Sequence, residues 1–329
     1  MRRLRRLLVA TFLLAALAAG WLAWFATRPL DLAAPLDLTV RQGAGVSSVA
    51  RQLGDAGVLA EPWSLRILAR VLGREGAVRA GIYRLDRALS PLELLDKLAR
   101  GDVLLAEMRF VEGTTLRQWL EQLAREPRLR QTLAARDDAA VRALLGLGEQ
   151  SAEGWLFPDT YRFAPGIADT EILKRAHAAM KRRLDAAWRE RDPGLPLKDP
   201  YEALVLASIV EKETGAAAER ALVASVFVNR LKRGMRLQTD PTVIYGIGEK
   251  FDGNIRKRDL TTDTPWNTYT RDGLPPTPIA MPGAASLLAV SRPASSEFLY
   301  FVGKGNGTHQ FSRTLEEHNR AVAKYQLKR

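Results

Sequence analysis

The chain begins with a cationic tip and a long apolar run. Four arginines precede residues 7–26, a stretch without charge that carries Trp21 and Trp24 near its far end. About 20 apolar residues suffice for a helix to cross a bilayer, and the arginines keep the N-terminus cytoplasmic. Residues 1–28 are therefore predicted to be a single-pass anchor, with the rest outside the cytoplasm. The alternative is a cleaved signal peptide with a site at 16–18, but the apolar run continues well beyond it.

After a linker at residues 29–37, the pattern predicts a small domain over 38–103. Leu38 and Val40 alternate as in a strand, and apolar positions then recur at helical spacing over 46–53. The spacing of valines and glycines here resembles the opening of a LysM module, a small glycan-binding fold. Ala44 stands where that module usually has an acidic residue, so the resemblance supports the shape more than the binding.

Local signals complete this domain. A second helix begins at Pro62, and residues 79–85 have the pattern of a strand. Ser90 and Glu93 form a capping box that begins a third helix, and Gly101 ends it. The predicted order is strand, helix, helix, strand, helix.

Residues 104–329 are predicted to form a second, mixed α/β domain, which makes the fold class α+β. Its central stretch is Leu204–Val210, a run without charge that predicts a buried helix segment or a buried strand. Leu204, Ser208 and Glu211 fall at helical spacing, and a helix would end near Gly215. Glu211 and Glu213 follow at once. Burial of a carboxyl raises its pKa, which is the condition for a general acid at neutral pH. The alternative is a solvated last turn, and these arguments alone do not separate the two glutamates.

Composition narrows the chemistry. There is no cysteine, which excludes disulfides, thiolate metal sites and cysteine nucleophiles, and three histidines argue against a histidine-rich metal site. The net charge is +12, and removing the five arginines of residues 1–28 leaves +7 outside the cytoplasm. Such a surface suits anionic headgroups or cell-wall carboxylates. No nucleic-acid motif is present.

Several segments resemble, in order, the YceG-like family of endolytic murein transglycosylases. They are EGWLFPDTY (153–161), ASIVEKET (207–214), FVNRL (227–231), LQTDPTVIYG (237–246), NTYT (267–270), GLPPTPIAMPG (273–283) and LYFVGKGNGTHQFSRTLEEHN (299–319). The resemblance covers nearly the whole chain.

The resemblance implies a lytic transglycosylase in the inner membrane that cuts nascent peptidoglycan strands beside peptidoglycan synthases such as penicillin-binding proteins. It assigns catalysis to Glu211. One acid suffices, because the C6 hydroxyl of N-acetylmuramic acid closes a 1,6-anhydro ring, and no metal or organic cofactor is implied. The side chains expected to contact substrate are Glu153, Glu213, Gln238, Asp240, Tyr245, Asn267 and Tyr269.

Two alternatives remain open. One is a hydrolytic muramidase, which needs a second carboxylate; the candidates are Glu153, Asp159, Glu213 and Asp240. The other is a non-catalytic, wall-binding scaffold built on the LysM-like domain. Trp155, Phe157 and Tyr161 are expected either to line a glycan cleft or to pack in the core. Glu112 and Gly113 are predicted to form a turn without a catalytic function.

Overall fold

The computed structural model describes residues 2–41, 43–213 and 216–327. The chain divides into a smaller unit, Met1–Glu107 with Arg162–Gly166, and a larger unit, Met108–Tyr161 with Ile167–Arg329. Residues 1–28 are predicted to be separate from the small domain, whereas the structure groups them with it in one unit. Gly215, the predicted end of the central helix, lies outside the described residues.

The smaller unit follows the order expected after the anchor: strand, helix, helix, strand, helix. Its elements are α1 (Arg2–Thr27), β1 (Leu36–Val40), α2 (Val46–Asp55), α3 (Pro62–Val71), β2 (Gly81–Leu85) and α4 (Pro91–Arg100). Strands β1 and β2 pair antiparallel, with Leu38 opposite Tyr83. Both side chains are buried in one core, because residues directly opposite each other on paired strands lie on the same face of the sheet.

Capping holds α4 in place as predicted. The Ser90 side chain accepts from the backbone N–H of Glu93, and the Glu93 side chain accepts from Ser90 N–H. Gly101 closes the helix at φ 71°, a left-handed conformation that glycine adopts without steric cost. Replacing such an N-cap by alanine typically costs about 1 kcal/mol.

Helix α1 is long and apolar enough to cross a membrane. Most of its side chains are exposed, but Phe25 and Ala26 at its end are buried. They belong to the same core cluster as Leu38 and Leu53. The end of α1 is therefore part of the folded smaller unit and is not joined to it only through a linker.

The remaining elements are mainly helices. In chain order they are β3 (Ala106–Arg109), α5 (Leu116–Arg125), α6 (Asp138–Leu145), β4 (Thr160–Phe163), α7 (Asp169–Arg189), α8 (Pro200–Glu213), α9 (Arg220–Lys232), α10 (Asp240–Ile247), α11 (Lys257–Thr261), α12 (Ala284–Ser291), β5 (Tyr300–Gly303), β6 (His309–Ser312) and α13 (Leu315–Tyr325). Strand β3 pairs with β4, and β5 with β6. The predicted mixed α/β domain is thus mainly helical in its described part.

Helix α8 is the centre of the larger unit. Every residue from Ala203 to Val210 is buried, and α9 and α12 pack against the helix. This explains the uncharged run, because a helix covered on all sides has no polar face. The single polar side chain in the run, Ser208, accepts a hydrogen bond from Ile279 N–H at 3.0 Å.

Candidate active site

Two glutamates lie in the last turn of α8. Glu211 and Glu213 are two residues apart, and at 3.6 residues per turn their side chains leave the helix about 200° apart. They therefore meet different surroundings.

Glu211 faces the start of α12. Its Oε2 accepts from the backbone N–H of Gly283 at 2.8 Å and from the Ser286 hydroxyl at 2.7 Å. The guanidinium of Arg220 lies 3.6 Å from Oε1, and the Glu211 side chain is only 6% exposed. An N-terminal helix end favours negative charge, so Glu211 acts here as an acceptor held by three neighbours.

The turn at Glu112 and Gly113 lies beside this cluster. Gly113 N–H donates to the Met281 carbonyl at 2.9 Å, and Met281 N–H donates to the Thr114 carbonyl at 2.8 Å. A Cβ on Gly283 would overlap the carboxyl of the exposed Glu112 side chain, which would have to move aside. Burial, together with the charge of Glu211, raises the pKa of Glu112.

Glu213 lines a cavity of about 430 Å³, whereas Glu211 is not among the described residues around it. The Thr239 hydroxyl donates a hydrogen bond to the Glu213 carboxyl. Glu213 is partly exposed to the cavity but closely surrounded by protein. Burial raises its pKa to about 7, and the charge of Asp240 acts in the same direction. Glu213 therefore combines a raised pKa with access to a cavity.

The cavity wall contains an arginine that the sequence analysis did not single out. Arg230 is 8% exposed; its guanidinium donates to the Leu299 carbonyl at 2.7 Å and the Leu237 carbonyl at 2.9 Å. It also lies 3.3 Å from Oε1 of Gln238. Gln238 has φ 50°, a left-handed value that no other described residue except glycine adopts. Arg230 thus stabilises the strained segment that presents Gln238 to the cavity.

Asp240 and Tyr269 form a second polar pair in the cavity wall. The Tyr269 hydroxyl donates to Oδ1 of Asp240 at 2.6 Å. Burial and this bond raise the pKa of Tyr269, so the phenol stays protonated as a donor. Thr239 occupies the N-cap of α10, so Asp240 is the first residue of the helix and its carboxylate faces the cavity.

His309 adds a third polar group to the wall. Its Nδ1 lies 2.7 Å from Oε2 of Glu219, and its backbone N–H donates to the same oxygen at 3.0 Å. The quoted motif segments contain both Arg230 and His309. Their spacing along the chain gave no sign that they would meet Glu213.

Some of the predicted substrate contacts line the cavity, and the others do not. Gln238, Asp240 and Tyr269 line the cavity together with Glu213. Asn267 is 1% exposed. Its amide donates to the Thr262 carbonyl at 2.7 Å and accepts from Tyr269 N–H at 2.9 Å. It is thus a turn residue that positions Tyr269, because its polar atoms are already engaged by backbone.

Glu153 and Tyr245 form a separate buried pair. Glu153 is 3% exposed and accepts from the backbone N–H of Leu116, at the start of α5, at 3.0 Å. The Tyr245 hydroxyl donates to its other oxygen at 3.2 Å. Burial raises the pKa of Glu153 to about 8. Neither side chain is among the described residues that line the cavity.

The aromatic residues of the EGWLFPDTY segment lie mostly inside the protein. Phe157 and Tyr161 are buried, and the Tyr161 hydroxyl donates to the Phe157 carbonyl at 2.6 Å. Trp155 stacks on Tyr201. For Phe157 and Tyr161, packing in the core is the correct alternative. Asp159 is exposed.

A carboxyl with a raised pKa beside a polar cavity is a candidate acid–base site. Across the described ranges, no group of three or more histidine, aspartate or glutamate side chains is placed to hold a metal ion. The chain belongs to the YceG-like family, whose model matches residues 38–324.

Relatives agree with this membership. The endolytic murein transglycosylase of Bacillus subtilis is 31% identical over 90% of this chain and 86% of its own length. The protein of that name from Streptococcus pneumoniae is 27% identical, and the match spans 60% of its length. A solved YceG-like protein from Listeria monocytogenes is 29% identical, with a TM-score of 0.56 over 87% of this chain and 99% of that one.

Proposed function

We propose that this protein is a peptidoglycan lytic transglycosylase that cuts the β-1,4 bond between N-acetylmuramic acid and N-acetylglucosamine within glycan strands. The family membership and the relatives named endolytic murein transglycosylase support the reaction. The observation that carries the proposal is Glu213, a carboxyl with its pKa raised to about 7 beside a polar cavity.

The reaction needs one proton donor that later becomes an acceptor. The protonated carboxyl gives its proton to the glycosidic oxygen as the bond from C1 breaks. The C6 hydroxyl of the same muramic acid then attacks C1, and its proton goes to the carboxylate. The products are a free 4-hydroxyl on the leaving sugar and a 1,6-anhydro end, and no water is consumed. Most glycosidases, in contrast, use two carboxyl groups.

We assign this proton transfer to Glu213, although the family resemblance assigns it to Glu211. Glu211 is held by a backbone N–H, a hydroxyl and a guanidinium, all of which favour a fixed acceptor. Within the part of the chain that the structure describes, the Thr239 hydroxyl is the donor to Glu213, and Glu213 lines the cavity. In this assignment Glu211 positions the end of α8 against α12. Catalysis by Glu211 is the competing proposal.

The cavity supports binding of a sugar ring. Its volume of about 430 Å³ falls in the usual range for small-molecule sites. Gln238 and the Asp240–Tyr269 pair offer acceptors and donors that suit acetamido and hydroxyl groups. The Arg230 guanidinium donates to the Leu237 carbonyl and so holds the segment that carries Gln238.

A hydrolytic muramidase is the second candidate, because one observation favours it. Asp240 places a second carboxylate in the wall of the same cavity as Glu213, as a mechanism that activates water requires. The two reactions differ in their products, so one measurement separates them.

The proposal includes the location. Helix α1 anchors the chain in the inner membrane with the N-terminus in the cytoplasm, supported by its length and apolar composition and by the arginines before it. The rest acts outside the cytoplasm on strands delivered by peptidoglycan synthases. We also propose that the smaller unit is LysM-like, which its strand–helix–helix–strand order supports, and that it lies near the glycan.

The test is a mass spectrum of the muropeptides that the detergent-solubilised full chain releases from purified peptidoglycan. Products one water lighter than reducing ends are expected and would establish anhydro termini. Products with ordinary reducing ends would mean that the protein is a hydrolytic muramidase and not a transglycosylase. Absence of release, with the protein still pelleting with the wall, would favour the non-catalytic scaffold.

A further inference from the structure

Helix α3 carries an apolar stripe that the core of the smaller unit does not cover. Trp63, Ile67 and Val71 are 48%, 43% and 65% exposed, and their spacing of four residues places them on one side of the helix. The opposite side, with Leu65 and Leu68, is buried in the core. The stripe is thus available to a partner outside this unit's own core.

The stripe begins beside the proposed membrane anchor. The ring of Trp63 stacks on that of Trp21 in α1, with 5.2 Å between centroids and 16° between planes. Trp21 also stacks on Phe25, with 5.7 Å between centroids. Because Phe25 and Ala26 are part of the core of the smaller unit, the start of α3 is held beside α1.

The geometry of α1 then sets the depth of the start of α3. An α-helix rises 1.5 Å per residue, so Trp21 lies about 7.5 Å before Ala26, the end of the apolar run. With α1 across a bilayer, Trp63 lies at that same level. Interfacial helices bury their apolar face about 5–10 Å into the boundary between headgroups and acyl chains, and tryptophan is enriched there.

The charges on α3 suit a lipid headgroup layer. Arg66 and Arg70 lie along one edge of the stripe and are exposed; the Arg70 side chain is 76% exposed, although it pairs with Glu75 at 2.9 Å. Arg28, just past α1, lies over the ring of Trp24 at 5.0 Å. An apolar stripe bordered by arginines is typical of helices that lie on anionic membranes.

We infer that α3 lies in the surface of the bilayer that α1 crosses, with Trp63, Ile67 and Val71 among the lipids and the arginines at the anionic headgroups. This rests on the anchoring part of the proposed function. The smaller unit is then bound to lipid by two elements, and its orientation to the membrane plane is defined.

The absence of cysteine makes a spin-label test direct. Single variants of the full chain are labelled and inserted into nanodiscs of mixed phosphatidylcholine and phosphatidylglycerol: Ile67→Cys on the stripe, Leu13→Cys within α1, and Arg100→Cys at the exposed end of α4. Collision of each label with oxygen, which concentrates in lipid, is compared with collision with a water-soluble nickel chelate. Leu13 tests the anchor itself, and Arg100 is the aqueous reference.

The label at 67 should collide mainly with oxygen, at a depth of about 5–10 Å, whereas the label at 100 should collide mainly with nickel. If the label at position 67 collided mainly with nickel while the label at position 13 collided mainly with oxygen, the inference would be overturned and the membrane anchor would stand. A label at 13 in water would overturn the anchor, and the inference with it. Protection of 67 from both reagents would mean that protein, a second copy or a partner, covers the stripe, which also overturns it.

Discussion

Replacing Glu213 by glutamine removes the transferable proton while keeping the size of the side chain and an oxygen that accepts from Thr239. At pH 7 a carboxyl with the ordinary pKa of 4.5 is protonated in about 0.3% of molecules, but one with a pKa of about 7 is protonated in about half. The surroundings of Glu213 thus increase its acid form roughly 150-fold at that pH. Loss of a general acid typically costs a further factor of about 10² to 10⁴ in rate.

The assay is the initial rate of anhydro-muropeptide release by the full chain in detergent, measured from pH 5.5 to 8.5. The wild-type rate should fall above about pH 7 as Glu213 loses its proton in the free protein. Glu213→Gln should lower the rate by about 10² or more and remove this fall, because the titrating group is gone.

Glu211→Gln is the matched control, since it makes the same chemical change two residues away on the same helix. The glutamine still accepts from Gly283 and Ser286 but loses its charge toward Arg220. The Glu211→Gln variant should still show a fall in its release rate above pH 7, whatever the size of that rate. If Glu213→Gln kept its activity and the fall, and Glu211→Gln were inactive, our assignment would be refuted and Glu211 would be the acid.

Asp240, Glu153 and Gly283 each give a further prediction. Asp240→Asn should lower the pKa of Glu213 and move the fall in rate to lower pH, since the negative charge of Asp240 raises that pKa; complete loss of activity at every pH would instead indicate that Asp240 is a catalytic base. The folded-state pKa of Glu153, about 8, exceeds its unfolded value of 4.5, so its contribution to stability is full below 4.5 and is lost as pH rises through 8. The free energy of unfolding should therefore fall by roughly 3 to 4 kcal/mol between pH 5 and 8 from this group, and Glu153→Gln should remove that part of the slope in urea titrations; an unchanged slope would contradict the burial argument. Gly283→Ala should destabilise the protein by about 1 kcal/mol, the low end of the cost of overpacking, because the Cβ overlaps the exposed Glu112 side chain, which can move aside. Adding Glu112→Ala should restore most of the melting temperature; no recovery would locate the strain elsewhere.

The smaller unit was predictable because its signals are local. The capping box of Ser90 and Glu93, the alternation at Leu38 and Val40 and the glycine at 101 each act within a few residues of the chain. The packing of α1 into this unit was not predictable in the same way. It depends on contacts of Phe25 and Ala26 with residues far along the chain, which apolar periodicity does not encode.

The larger unit shows the same division. The uncharged run of α8 and its helical spacing correctly predicted a buried helix, and four of the residues expected around the chemistry line one cavity. Arg230 and His309 were missed because each belongs to another element, α9 and β6, and only the fold brings them to Glu213. Asn267 was chosen for its polar amide, but the turn that precedes Tyr269 uses that amide completely.

The two glutamates illustrate why the motif alone does not decide between them. A helical step of two residues sends Glu211 toward the N–H of Gly283 and Glu213 toward Thr239 and the cavity. The start of α12 supplies Glu211 with two hydrogen-bond donors, the N–H of Gly283 and the hydroxyl of Ser286. The surroundings of Glu213 exclude water from its carboxyl, and this burial raises the pKa of Glu213. Two carboxyl groups in a single turn of helix can therefore meet different environments, because different segments of the chain build those environments.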